Sequence, residues 1–276
     1  MNKLFIDIET IPGQAAAVME ALRAEAEQDK AACKAPANYK DPEKIAANIA
    51  EQHAAIDAAM DDKWRKTSFD GAYGQIAVIG FALNDNDPCS LWLEDWEMPK
   101  AERHILTAFN DSLSKRIPVN MEPATCVVGH NVSAFDLRFL VHRSIICGVR
   151  PHPVISRAAA AKPWESERVY DTMIQWAGVG GRIKLDKLCK ALGIQSPKGE
   201  LTGALVWDYI EAGRIDEVAD YCAKDVIAVG EVYRRMTFAA VKNAEVASPR
   251  RKKIRASDRA VQGRKQKRED GMALRV

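Results

Sequence analysis

The sequence predicts an α/β fold: a mixed sheet flanked by helices, with a helical insertion after the first strand. Three observations predict it. Buried-strand patterns fall in the first half of the chain, at KLFIDIE, YGQIAVIGFAL, CSLWLE and ATCVVGH, while helical spacing dominates from residue 171 onward. A strand–helix–strand succession between about residues 89 and 129 requires a crossover, which lays its strands in one sheet with helices packed on it. Residues 14–66 interrupt this pattern with long runs of Ala, Glu, Gln and Lys, all good helix formers.

Taken in order, KLFIDIE is a buried strand that ends on two acids and a proline. Two helices follow, joined near CKAPANYKDP, and the second starts with Asp41 as N-cap and Pro42 at the first helical position. YGQIAVIGFAL (73–83) and CSLWLE (89–94) flank the turn-rich NDNDP and predict a hairpin. PKAERHILTAFNDSLSKR (99–116) has helical apolar spacing, ATCVVGH (124–130) is a short buried strand, and SAFDLRFLVHRSIICG (133–148) is a helix closed by Gly148. DTMIQWA, KLDKLCKALG, GALVWDYIEAG and RIDEVADYCAKDVIAVGEVYRRM are helices separated by Gly- and Pro-containing loops. The domain reading is one domain over 1–240, with the insertion at 14–66, and a basic tail over 241–276 with too few large apolar residues to form a core, read as disordered.

Composition removes several classes of function. Apolar residues make up 47% and charged ones 28%, as in an ordinary globular protein. No apolar run approaches the roughly 18 residues a membrane span needs, and acids appear too early for a signal peptide. The 6 cysteines are scattered without a C-x-x-C pair, which argues against a zinc site or disulfide framework and for reduced thiols in a cytoplasm. Of the 40 Lys/Arg and 38 Asp/Glu, 11 and 3 fall in 249–276, leaving 29 and 35 for an acidic body of net −6 beside a tail of +8.

The acids raise the functional question. Asp7 and Glu9 are two apart on a strand and share a face. Burying them unpaired is costly, so either the strand is a surface hairpin facing water or positive charge meets them. Asn131 follows a strand end and Asp136 opens the next helix; Tyr221 and Asp225 are four apart on a helix, one turn above each other. If these places converge, like charges about 4 Å apart repel by roughly 4 kcal/mol per pair at an effective dielectric near 20. Protons or cations must then neutralise them, and all-oxygen ligands suit Mg²⁺ or Mn²⁺ rather than zinc. Two such ions clamp the oxygens of an in-line phosphoryl displacement, which points to phosphodiester hydrolysis.

DIET on the first strand, HNVSAFD (N-x3-F-D) in the middle and YCAKD (Y-x3-D) on a late helix, in that order, resemble the three exonuclease motifs of the DEDD superfamily, and the tyrosine marks the DEDDy branch. The likeness is to the 3′–5′ proofreading exonuclease domain of family-B DNA polymerases and to stand-alone exonucleases related to it, over about residues 1–13 and 73–236. The resemblance implies a ribonuclease-H-like fold. It implies that Asp7, Glu9, Asp136 and Asp225 hold two divalent ions, with Asp7 bridging both, and that Tyr221 orients the attacking water. It further implies Thr10 and Ile11 at the terminal nucleotide, Asn131 beside the substrate strand and Phe135 in the packing of the second motif. The implied reaction removes nucleoside 5′-monophosphates from the 3′ end of single-stranded DNA, with RNA as the rival substrate and a non-catalytic nucleic-acid-binding protein as the rival class.

Each remaining feature has a plain reading beside the functional one. Asp171 fits a helix cap, and His130 fits a structural role better than that of a general base. Lys184 and Lys198 are candidate phosphate contacts. The 14–66 insertion is a substrate clamp or protein-partner surface on one reading and decoration on the other. The basic tail reads as a nucleic-acid tether, whose phosphate contacts would carry the salt dependence of binding.

Overall fold

The structure is a computed structural model of the 276-residue chain, and it describes residues 1–197 and 201–239 together with the backbone of 250–253. The chain forms two compact units, one of Met1–Glu9 and Ile76–Val276, the other of Thr10–Gln75. The second unit is therefore wider than the expected 14–66 insertion.

The first unit is built on a six-stranded sheet in the order β5-β4-β1-β2-β3-β6. Its strands are β1 (Asn2–Ile11), β2 (Gln75–Leu83), β3 (Cys89–Trp92), β4 (Thr125–Gly129), β5 (Val169–Asp171) and β6 (Arg250–Lys253). β4 runs parallel to β1 and β5 parallel to β4. Asn84, just past the end of β2, donates its amide to the Lys3 carbonyl near the start of β1, so these two strands run antiparallel. β3 returns antiparallel to β2, with Ile79 opposite Leu91, and is thus parallel to β1. The expected hairpin and mixed sheet flanked by helices are both present, consistent with the ribonuclease-H-like fold that the motif likeness implies.

Alternation sorts β1 between two layers. Leu4, Ile6 and Ile8 enter the larger core with Ile79, Phe81 and Leu91. That core also takes Ile105, Leu106, Phe109 and Leu113 of α4 (Ala101–Arg116), and Leu137 and Leu140 of α5 (Asp136–Ile146). Phe5 faces the other way and packs with Cys126, Val128, Val226 and Val229, the last two from α10 (Ile215–Met236). Gly80 is what lets α10 lie this close to β2: a Cβ there would stand 2.7 Å from Cys222 Sγ and 3.3 Å from the Cys222 carbonyl. The rim of the first layer is fixed by a buried ion pair. Arg143 donates through Nε (2.9 Å) and Nη2 (2.7 Å) to Glu102, whose Oε1 also accepts from the Ile76 amide at 2.8 Å.

The helices expected from residue 171 onward are α7 (Thr172–Ala177), α8 (Leu185–Ala191), α9 (Val206–Glu211) and α10. α6 (Pro153–Ala159) and β5 were not anticipated, and α5 starts at Asp136 rather than at Ser133 because residues 132–135 form a turn that ends on the non-helical N-cap Phe135 (φ −116°, ψ −80°). The tail needs correction over four residues: Arg250–Lys253 form β6, parallel to β3, with Cys89 opposite Arg250. An edge strand takes its stability from the backbone bonds of its neighbour, so it needs no apolar pattern, and its Lys/Arg content is what edge strands tolerate. The rest of 240–276 lies outside the described residues.

The second unit contains α1 (Ala16–Ala32), α2 (Pro42–Ala58) and α3 (Met60–Lys66), the last splitting the expected second helix. Asp41 caps α2 as expected, accepting from the Glu43 amide at 3.0 Å ahead of Pro42. Val18, Leu22 and Ala26 form the buried stripe of α1, whereas α2 and α3 bury no residue. Trp64 Nε1 donates to the Gly13 carbonyl at 2.9 Å, and Thr67 Oγ1 accepts from the Gly13 amide at 2.9 Å. No helix among the described residues is long and apolar enough to cross a membrane.

Candidate active site

Three elements bring the acids together. Asp7 and Glu9 point from β1 toward α10, on the face opposite Ile6 and Ile8. α10 presents Cys222 there: its thiol lies 3.4 Å from Asp7 Oδ2, and donor atoms of Asp7, Glu9 and Cys222 all fall within 4.8 Å of one another. Asp225, one turn further along α10, is 9% exposed, and its charge acts on the Tyr221 phenol. Asp136, the first residue of α5, is 4% exposed and accepts the Ile8 amide on Oδ1 at 3.0 Å. That single bond ties the second motif to the backbone between Asp7 and Glu9.

The electrostatics follow from burial and like charge. Burial pushes the Asp7 carboxyl well above the usual range, and Glu9, Asp225 and Asp136 push it further. Glu9 is raised in the same way by burial, Asp225 and Asp136. Asp136 is pushed up to about 7, mainly by burial, against the lowering effect of its own amide and that of Ile8. Cys222 is also raised well above its usual value by burial and the acids, so it is a neutral thiol. Among the described residues no Lys, Arg or His forms an ion pair with Asp7, Glu9 or Asp136. No described side chain therefore neutralises Asp7, Glu9 or Asp136 by an ion pair, and carboxylate oxygens suit a hard divalent cation.

Asp171 plays a different part. It is 2% exposed and accepts four amides: Asn131 (2.9 Å), Met173 (3.0 Å) and Ile174 (3.4 Å) on Oδ1, and Ser133 (3.0 Å) on Oδ2. It caps α7 and holds the loop that carries Asn131. Gly129 is needed at the same place, since a Cβ there would sit 2.5 Å from Val132 Cβ and 3.1 Å from the Ile6 carbonyl. His130 is structural, as expected. Its Nε2 donates to the Ile183 carbonyl (2.8 Å), and Nδ1 lies 2.9 Å from Thr172 Oγ1. A carbonyl only accepts, so the proton sits on Nε2, and burial lowers the pKa of the ring and favours its neutral form.

The other candidates are distributed as follows. Asn131 is half-buried at the end of β4, and Phe135 packs at the edge of the larger core with its ring 5.5 Å from that of Phe139. Lys184 is exposed just before α8. Thr10 and Ile11 belong to the second unit, where Thr10 Oγ1 donates to the Ser68 carbonyl at 2.7 Å and Ile11 is buried. Lys198 lies outside the described residues. Sequence reasoning did not include Cys222 among the site residues. Its spacing, three before Asp225, is the signal that places it on the acidic side.

An α/β sheet carrying buried acids from a strand and two helices defines the class as a nuclease-type hydrolase. The model of one family, predicted 3′–5′ exonucleases related to the exonuclease domain of PolB, matches residues 71–267, and the chain belongs to that family. The match starts after Asp7 and Glu9 and runs past β6, so it includes Asp136, Tyr221 and Asp225 and reaches further toward the C-terminus than the motif likeness. Comparison with curated proteins returns no match. The protein is thus an exonuclease-family hydrolase with a nucleic-acid substrate, and exonuclease domains of this kind generally use divalent metals.

Proposed function

We propose that the protein removes nucleoside 5′-monophosphates from the 3′ end of single-stranded DNA. The observation that carries this reading is the convergence of Asp7, Glu9 and Asp136 with Asp225, with no ion-pairing cation among the described residues on the first three. These four carboxylates would hold two divalent ions, Mg²⁺ or Mn²⁺. Bound there, the ions supply a water activated as nucleophile and stabilisation of charge on the phosphate oxygens. The water oxygen bonds to phosphorus, the P–O3′ bond breaks, and the shortened strand leaves with its 3′-oxygen protonated.

Tyr221 suits the positioning of that water. Burial and the charges of Asp225, Glu9 and Asp7 raise its pKa, so the phenol stays neutral and serves as a hydrogen-bonding group rather than a base. Asn131, held by Asp171, would lie beside the strand. The tail supports retention of the same strand. After Lys253 it carries 7 Lys/Arg against 3 Asp/Glu, a charge suited to phosphates.

The test is a comparison of 5′-labelled DNA and RNA oligomers incubated with Mg²⁺, Mn²⁺ or EDTA. A ladder shortening one nucleotide at a time from the 3′ end, faster on DNA and absent in EDTA, is the expected result. Internal cleavage, metal-independent cleavage or faster hydrolysis of RNA would each overturn the corresponding part.

A further inference from the structure

The loop joining α7 to α8, Gly178–Lys184 (GVGGRIK), has no part in the carboxylate cluster, yet it is tied to the second motif. Gly178 and Gly180 hold left-handed φ values of 80° and 83°, and a Cβ at either would meet no atom within 4 Å, so the backbone there is open to approach. A Cβ on Gly181 would fall 2.2 Å from the Ala177 carbonyl, so the tight turn out of α7 requires glycine at this position too. Arg182 and Lys184 are exposed, and neither has an acidic partner among the described residues. Lys190, a few residues on, differs: it pairs with Asp186 at 3.1 Å. Between the two unpaired cations sits Ile183, whose carbonyl receives His130 Nε2, and His130 precedes Asn131 at the edge of the sheet where the carboxylates gather. An open glycine turn carrying two uncompensated cations, pinned beside an acidic centre, has the chemistry of a phosphodiester contact.

We propose that Gly178–Lys184 is a phosphate-contacting lip for the substrate strand, with Arg182 and Lys184 as its cations and His130 as the positioning residue that holds it. The polyanion is named as single-stranded nucleic acid on the strength of the exonuclease reading; the lip itself rests on the loop geometry.

The experiment measures binding of a 5′-fluorescein 12-nucleotide single strand by anisotropy in EDTA across salt concentrations. Turnover is measured separately with Mg²⁺ on that strand and on the p-nitrophenyl ester of thymidine 5′-monophosphate, which has no phosphate chain. Arg182→Ala/Lys184→Ala should weaken binding about 3–10-fold and reduce the log–log salt slope by about 1.4, roughly 0.7 for each cation on a single strand. Turnover of the small ester is the separate measure of the exonuclease reading. His130→Ala should weaken binding in the same direction, and adding it to the double variant should change nothing further, because it acts through the same two cations. His130→Gln, which can donate to the Ile183 carbonyl, should recover most of the loss. Unchanged binding in the double variant overturns the lip, and full additivity of His130→Ala overturns its positioning role. The two exposed positions and the His130→Gln variant keep the test valid if His130→Ala fails to fold. Binding effects in a protein that hydrolyses neither substrate would sink the exonuclease reading and leave the lip standing.

Discussion

In the sheet unit Glu9, Asp136, Asp225, Glu102 and Arg143 are all buried, whereas the ion pairs of the helical unit lie at the surface, Lys63–Asp29 at 3.0 Å and Lys66–Asp62 at 2.6 Å among them. The apolar supply differs in the same sense. One unit packs an apolar cluster on each face of its sheet, and the other rests on the Val18–Leu22–Ala26 stripe beside two helices that bury nothing. A unit with a large core can carry the cost of grouped like charges, and one with a thin core cannot. The acids of the sheet unit therefore read as a tolerated liability, of the kind selection keeps for chemistry.

The largest test of this contrast is to remove one charge. Asp7→Asn or Asp225→Asn should lower metal-dependent hydrolysis by about a hundredfold or more, as loss of a group that stabilises transition-state charge does. Asp7→Asn should also stabilise the metal-free protein at pH 7.5, on the order of 1–3 kcal/mol, because it relieves repulsion. Urea unfolding in EDTA reads the second effect. A variant that is both inactive and less stable would mean that Asp7 is a structural acid.

The buried pair between Glu102 and Arg143 should behave in the opposite way. Arg143→Ala leaves Glu102 charged and enclosed, and should cost roughly 3–5 kcal/mol. Replacing both residues by apolar ones should restore much of that. Urea unfolding of the single and double variants separates the two, and neither change should alter the metal dependence of hydrolysis.

Next in size is pH. The folded-state values of Asp7, Glu9 and Asp136 are all raised, so the folded form holds more protons than the unfolded form between about pH 4 and pH 7. Stability of the metal-free protein should therefore be greatest near pH 4 as far as these groups are concerned, and fall as pH rises through 7. Asp136 alone would account for up to about 4 kcal/mol. Mg²⁺ or Mn²⁺ should flatten the profile at its alkaline end. Thermal melts from pH 4.5 to 8, with and without metal, check the slope, and a rising metal-free profile would contradict the electrostatic account of the cluster.

Much of this was readable in advance because local signals and tertiary demands agreed. Asp41 before Pro42, the NDNDP turn between two apolar runs, and the Y-x3-D face of α10 each carry their cause within a few residues. What escaped depends on partners far away in sequence. β5 is three residues long and exists because β4 offers its edge, with Val127 opposite Val169. β6 contains no apolar residue and relies on β3. Glu102 and Arg143 look like surface charges on amphipathic helices until α4 and α5 bring them together beside the Ile76 amide. Cys222 is apolar enough to pass for core, and only the approach of β1 to α10 turns it into a neighbour of Asp7.

The smallest effects sharpen the comparison most, because the two units use the same device. Asp41 and Asp171 are both helix N-caps with extended backbone. Asp41 takes one amide, Glu43, at the surface, so Asp41→Ala should cost about 1 kcal/mol and fray only the first turn of α2. Hydrogen exchange at residues 43–45 should quicken while hydrolysis is unchanged. Asp171 takes two amides of its own helix and two more from Asn131 and Ser133, in the loop that leads to Asp136. Asp171→Ala should cost more than a cap alone, since four part-buried donors lose their acceptor. It should also slow hydrolysis, although in the proposed mechanism Asp171 touches neither metal nor water. Asp171→Asn keeps acceptor capacity on one oxygen only, and should fall between parent and alanine in both stability and rate. If Asp171→Ala behaved like Asp41→Ala, with a frayed helix and full activity, the second motif would not depend on this carboxylate for its shape, and the loop of Asn131 would have to be held by Gly129 and Val132 packing alone.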